Sequence, residues 1–249
     1  MPFTPAHAAA AWPLHRAFRR LPAAALVIGT MAPDLEYVLR MEPVGKFGHT
    51  PAGLFVFCLP VTVALWWAWR GAIRPALTPL LPPALCAAAQ APPPGRATDA
   101  LPLAMVAALL GAATHILWDG FTHDTGWAVA LLPTLRGAVS ASLSLPWFSL
   151  AQYASSVVGM LIALVWMARE WLRWPAEARR FAPGQRTRLA RVAAFILAVT
   201  LAVAALNATL ATQWTSRAGR AAVGAMAGMG VALALYALWA ASQGRVGPR

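Results

Sequence analysis

The chain has 249 residues, of which 59% are hydrophobic and 11% charged, well below the roughly 25% charge of soluble domains. This balance argues against an ordinary soluble protein and for an integral membrane protein. The net charge of +12 does not call for nucleic acid, since 19 of the 20 basic residues are arginine and gather at the ends of apolar runs, where membrane proteins carry positive charge.

Thr4-Pro5 reads as an N-cap with proline at the first helical position. The helix that starts there carries His7, and Pro13 kinks or stops it. Arg16, Arg19 and Arg20 precede an apolar run, residues 21–32, in the manner of a signal peptide. The basic region begins late, however, and no small-x-small cleavage site follows, so the segment is read as retained. The run has 12 residues, too few to cross a bilayer, so a re-entrant or buried helix is expected. It ends at Pro33-Asp34. Glu36 and Glu42 read as solvated partners of Arg40 and Lys46.

Five later runs are long enough to span: 52–69, 101–118, 151–168, 189–211 and 221–241. Tryptophans fall near their ends, as in an aromatic belt. Residues 70–100 are proline-rich and read as an irregular linker with a short surface helix. Cys58 and Cys86 lie in apolar surroundings without metal spacing and read as small packed hydrophobes. The fold class is therefore all-α, a polytopic membrane helical bundle with five spans and an N-terminal short-helix or re-entrant segment. It is expected as one membrane domain. Residues 1–124 carry the polar site and the first two spans, and 125–249 carry three more.

The 169–191 loop holds seven arginines and the 119–150 loop one. The positive-inside rule puts 169–191 in the cytoplasm. Alternation then puts 1–51, 119–150 and 212–220 outside, with twelve basic residues inside and eight outside. The expected location is the plasma membrane, multi-pass, with the polar site on the non-cytoplasmic side. Lipid is the expected partner and nucleic acid is not.

Polar residues gather at one face. His49 directly precedes the first span, and His115 and Asp119 close the second. Two crossings return the chain to its starting side, so these three share a face in either orientation. On a helix, His115, Asp119 and His123 lie within about 80° of one another. The rise from His115 to His123 is about 12 Å, too far for one ion with bonds near 2 Å. Either His123 caps the helix or serves a second ion, or the helix breaks at Gly120. A two-metal site bridged by Asp119 or Asp34 would use every candidate. A hydrogen-bonded polar pair that steadies helix packing fits the spacing of His115 and Asp119 as well. Ionisable groups in membrane segments are costly and commonly mark function.

The stretches MPFTPAHAAAAWPL, ALVIGTMAPDLEYVLR, GHTPAGLFVF and GAATHILWDGFTH together resemble the bacterial membrane domain-of-unknown-function family 4184. Their order is an early His, a Pro-Asp, a Gly-His-Thr and a late His-x-x-x-Asp. That order is similar to the membrane-bound metal-dependent hydrolases and, more distantly, to the zinc-dependent phospholipase C-like proteins. The resemblance implies an all-helical protein that holds zinc through His7, Asp34, His49, His115 and Asp119, with His123 matching a Thr-His that often follows. The additional His and Glu ligands of the phospholipases have no counterpart placed here.

The expected function is a metal-dependent hydrolase-like site at one membrane face, acting on a phosphoester or lipid headgroup. Asp34 and Asp119 are its candidate catalytic carboxylates, and a divalent ion, zinc by its imidazole ligands, is its cofactor. The rival is a non-catalytic protein in which the same cluster is a structural metal or hydrogen-bond knot. Transport ranks below both, because no internal repeat is found and the cluster maps to span ends.

Overall fold

Helix dominates the computed structural model, which describes residues 3–90, 101–140, 142–212 and 214–244. Residues 91–100, the end of the expected linker, lie outside the described residues. Among the described residues, five helices are long and apolar enough to cross a membrane: Pro51–Leu80, Leu101–Leu131, Trp147–Leu172, Gln185–Thr209 and Ser216–Ser242. Each overlaps one expected run, and the chain is a multi-pass membrane protein. It forms two compact units. The first comprises Met1–Asp34, Lys46–Trp66 and Arg96–Trp171, and the second Leu35–Gly45, Trp67–Gly95 and Leu172–Arg249.

In the first unit a 3-10 helix, Thr4–Ala10, passes into α1, Ala11–Ala17. Pro13 lies in the first turn of α1, where a missing N–H is tolerated. The change of winding at Ala11 thus comes before the proline. The expected cap is corrected too. Phe3 is the capping residue, and Thr4 sits inside the first turn with its hydroxyl committed elsewhere. A turn leads into α2, Ala23–Met31, which packs on the second span and is too short to cross. A 3-10 turn, Ala32–Asp34, follows, and α3, Leu35–Arg40, begins the second unit.

The N-terminal segment runs along a span. The Phe3 amide donates to Ser156 Oγ at 3.0 Å, Ala6 packs against Gly159, and Trp12 lies under Arg169, 5.8 Å from the guanidinium to the ring centre. Residues 156 to 169 of a helix cover about 20 Å. The segment from Phe3 to Trp12 therefore descends most of the depth of a span, and α2 climbs back to Asp34. This is the re-entrant form expected, but deeper than a surface dip.

The first span, α4 (Pro51–Leu80), begins at a capped turn: Thr50 Oγ1 accepts from the Gly53 amide at 2.9 Å, with Pro51 at the first position. The expected linker from residue 70 is corrected, because helical winding continues to Leu80. A π turn, Trp69–Ile73, shifts the hydrogen bonds and accommodates the missing donor of Pro75. The short helix expected in the linker is α5, Pro83–Gln90. The second span holds α6, Leu101–Thr122, and α7, Trp127–Leu131. A small antiparallel hairpin, β1 (Ala138–Ser140) with β2 (Leu143–Pro146), leads to α8, Trp147–Leu172.

α2 and α6 cross on glycine. A Cβ on Gly111 would lie 2.7 Å from the Leu26 carbonyl oxygen and 2.8 Å from the Thr30 amide; one on Gly29 would lie 2.7 Å from the Ala108 carbonyl. Backbone fills these gaps and cannot yield like a side chain. Leu21, Ala25, Leu26, Trp66, Ala104 and Ala107 close the core beside the crossing. The Gly111→Ala chain is expected to lose about 1–3 kcal/mol through overpacking, read as a lower melting temperature in detergent. His115 stands one turn further along α6 and moves with it.

The second unit pairs α9, Gln185–Thr209, with α10, Trp214–Ser242. The buried Asn207 amide donates to the Arg220 carbonyl at 2.8 Å. Glu42 pairs with Arg220, not with Lys46. Glu36 is buried, not solvated, and Arg40 grips one of its oxygens at 3.0 and 2.8 Å.

Candidate metal centre

All six sequence candidates belong to the first unit. His7 comes from the 3-10 helix, Asp34 from the turn after α2, and His49 from a 3-10 turn, Phe47–His49. His115 and Asp119 come from one face of α6. Gly48 lets two of these segments meet, since a Cβ there would lie 2.6 Å from the Pro33 carbonyl, next to Asp34. The Gly48 carbonyl accepts from the buried Cys58 thiol at 3.3 Å.

Asp34, His49, His115 and Asp119 each bring one ligand atom into a group whose members all lie within 4.8 Å of one another. His115 Nε2 is 3.1 Å from Asp119 Oδ2 and 3.5 Å from Asp34 Oδ1. His49 Nε2 is 3.6 Å and 3.4 Å from the same two oxygens. These separations exceed the roughly 2.7–2.9 Å of a charge-assisted hydrogen bond. They match a coordination shell. With bonds of about 2.0–2.2 Å, adjacent atoms of a tetrahedral set lie about 3.3–3.6 Å apart.

Protonation supports the same conclusion. His115 Nδ1 lies 2.7 Å from the Thr30 carbonyl oxygen. A carbonyl only accepts, so Nδ1 carries the hydrogen, and in the neutral ring Nε2 presents a lone pair to two carboxylates. That is repulsive unless a cation or a proton lies between them. His115 and Asp34 are 0% and 1% exposed, so water does not relieve the conflict. His7 Nε2, Asp34 Oδ1, His115 Nε2 and Asp119 Oδ1 are buried and complete no hydrogen bond. Buried polar atoms left without partners are rare, and here four converge. A divalent cation held by Asp34, His49, His115 and Asp119 would satisfy Asp34 Oδ1 and His115 Nε2, while His7 Nε2 and Asp119 Oδ1 face one another beside it, and the histidine-to-carbonyl bond is the usual means of aiming a ligating imidazole.

Asp119 faces two ways. Its Oδ2 joins the four-atom group, while its Oδ1 lies 3.4 Å from His7 Nε2 and 3.6 Å from His123 Nδ1. The His7 ring stacks on His115, with centres 3.8 Å apart, and meets the Trp118 edge at 5.9 Å. His123 follows the end of α6, and its Nδ1 donates to the Asp119 carbonyl at 3.1 Å. It therefore stands at the rim, outside the four-ligand group. The side chains of His49 and His123 are 21% and 24% exposed, and they mark the open edge of the centre.

Charge on the ligands outside the spans follows their neighbours. Burial alone would raise the Asp34 pKa, but His115, His49 and Thr4 outweigh it and hold the carboxyl well below the usual range. Burial works against a charged His49, yet Asp119 and Asp34 prevail and raise its pKa. For His7, burial wins over Asp119 and lowers it.

Two supporting groups were missed in the sequence. Thr4 Oγ1 donates to Asp34 Oδ2 at 2.5 Å, leaving Oδ1 for the centre; the residue had every sign of an N-cap. The Thr30 carbonyl, which aims His115, has no sequence signature at all. The Thr4→Val chain is expected to bind metal about 10–100-fold more weakly, the usual effect of removing an outer partner. Isothermal titration of the detergent-purified protein measures it.

No curated protein and no solved structure matches the chain. The motifs that build the centre lie in a match that covers residues 1–238, and the chain belongs to the family described as Domain of unknown function (DUF4184).

Proposed function

We propose that Asp34, His49, His115 and Asp119 hold a divalent ion, zinc by their imidazole content, and that the centre hydrolyses a phosphoester at headgroup depth. The observation that carries this reading is the convergence of four ligand atoms within 4.8 Å of one another, with Asp34 Oδ1 and His115 Nε2 buried and unsatisfied among them. When bound, the ion would polarise a phosphoryl group and lower the pKa of water toward about 7. Asp119 Oδ1, outside the four-atom group, is placed to accept a proton, and His7 Nε2 beside it to share that proton. Thr4 keeps Asp34 in place. The half-exposed edge at His49 and His123 is where substrate would enter. The order of motifs, similar to that of membrane-bound metal-dependent hydrolases, also supports hydrolysis.

We place this edge on the non-cytoplasmic side of the plasma membrane. The deep N-terminal hairpin brings Trp12 beside Arg169, so Arg16, Arg19 and Arg20 belong with the arginine-rich 169–191 segment. Moving these three turns twelve basic residues against eight into fifteen against five, a firmer positive-inside balance.

A second reading has an observation of its own. The four ligands come from three separate segments and lie almost wholly inside the protein, which suits a knot that ties the fold. Purified protein assayed on phosphodiesters with and without chelator distinguishes the two. Chelator-sensitive turnover supports hydrolysis. A metal-loaded protein that turns over none of them, and unfolds on chelation, is the knot.

A further inference from the structure

An open trough of about 950 Å³ lies between the N-terminal helices, α6 and α8, lined by Ala10, Trp12, Arg16, Thr114, Trp118 and Ile162 among others. A second of about 480 Å³ shares Ala10, Thr114 and Trp118 with it and carries the trough on to Phe121, Thr122 and Ala151. From Arg169, which lies over Trp12, to Ala151, α8 covers about 27 Å. One leaflet of a bilayer core of about 30 Å is about 15 Å deep, so the trough is long enough for one lipid chain held at its Trp12 end.

Its walls offer almost nothing polar. Thr114, Thr122 and Ser155 line it, but each hydroxyl bonds within its own helix, to the carbonyls of Gly111, Trp118 and Gln152. The one charged lining residue is Arg16, exposed on α1 one turn after Trp12. Arg169 lies over the Trp12 ring. Neither arginine has an acidic partner among the described residues. The trough is thus apolar along its length and cationic at one end, the end away from the metal centre.

We infer that the trough binds one acyl chain of an anionic phospholipid, with the lipid phosphate between Arg16 and Arg169. A chain there fills the space that two membrane helices and the N-terminal hairpin leave open. Arg169 over the Trp12 indole and Arg16 one turn further on put two cationic side chains at this end, the kind of pair that holds phosphate at a membrane surface. The lipid packs behind Trp118, whose edge meets His7, and so braces the segment that carries His7. The site is separate from the hydrolytic proposal and stands without it.

The test uses the full chain in phosphatidylcholine nanodiscs with a minor fraction of phosphatidylglycerol that carries a diazirine in one acyl chain. Photolabelling is expected to concentrate in residues 9–17, 114–122 and 151–162. Unlabelled phosphatidylglycerol should compete and phosphatidylcholine should compete weakly. The Arg16→Gln/Arg169→Gln chain should lose labelling on the order of tenfold. Ala10→Trp and, independently, Ile162→Trp fill the trough and should remove the label while circular dichroism and elution stay native. Labelling spread over all five spans, equal competition by the two lipids, or labelling unchanged in the double arginine variant overturns the assignment.

Discussion

The Asp119→Asn chain is expected to lose its metal and any phosphodiesterase turnover while keeping its fold. Asp119 meets four histidines, His115 and His49 through Oδ2 and His7 and His123 through Oδ1, at 3.1 to 3.6 Å. Among the described residues, no other side chain in the centre meets as many histidines. Asparagine keeps the shape but replaces one oxygen by an NH2 group and removes the charge. Its N–H can donate to an imidazole lone pair, so the group finds a hydrogen-bonded arrangement without a cation. Metal affinity should fall more than the roughly 10–100-fold of an outer-shell change, so by at least about a hundredfold. Losing the metal removes its contribution to stability, so the variant is expected to stay folded but to melt near the temperature of the chelated wild-type chain. Metal content by mass spectrometry, thermal melting and turnover are read on the same preparation. A variant that keeps full metal and full activity sinks the metal centre as drawn. One that keeps metal and loses turnover assigns Asp119 to the chemistry, and one that fails to fold favours the knot.

What the sequence showed and what it hid divide along physical lines. The spans were legible because a bilayer demands long apolar runs, and each of the five marked a helix. His115 and Asp119 were legible as a pair because an α-helix fixes side chains four apart on one face. Counting crossings put His49 with them before any tertiary contact was known. Where α4 ends was not legible. Proline at 75 and 79 signals a break, and π winding, which no local pattern announces, carries the helix past it. Thr4 was misread because an N-cap and a buried hydroxyl look alike when the partner, Asp34, is 30 residues away. Glu36 was misread for a similar reason, since Arg40 one turn on suggests a solvated pair and burial is decided by other segments. The depth of the N-terminal hairpin depends on Trp12 meeting Arg169, a contact that spacing cannot reveal.

Chelation should destabilise the protein, and more so as the pH rises. Without metal, the cluster leans on protons. His49 has a pKa raised by Asp119 and Asp34 against the cost of burial. Its stabilising contribution is therefore full below the unfolded value of about 6.5 and is lost as pH rises through the folded value. Asp34 has a lowered pKa, so its contribution is present above the unfolded value of about 3.9 and is lost as pH falls through the folded value. The metal-free chain is accordingly at its best in mild acid. Metal asks for the opposite, because ligating imidazoles must be unprotonated and binding releases protons. With free metal at a hundredfold over Kd, binding stabilises by about 2.7 kcal/mol. For a chain of this size that corresponds to about 5–10 °C in Tm. Melting curves with and without chelator should therefore nearly coincide near pH 5.5 and separate by about that amount near pH 8. A chelator effect greatest in acid, or none at either pH, would show that protons alone hold Asp34 and Asp119 together and that no ion belongs between them.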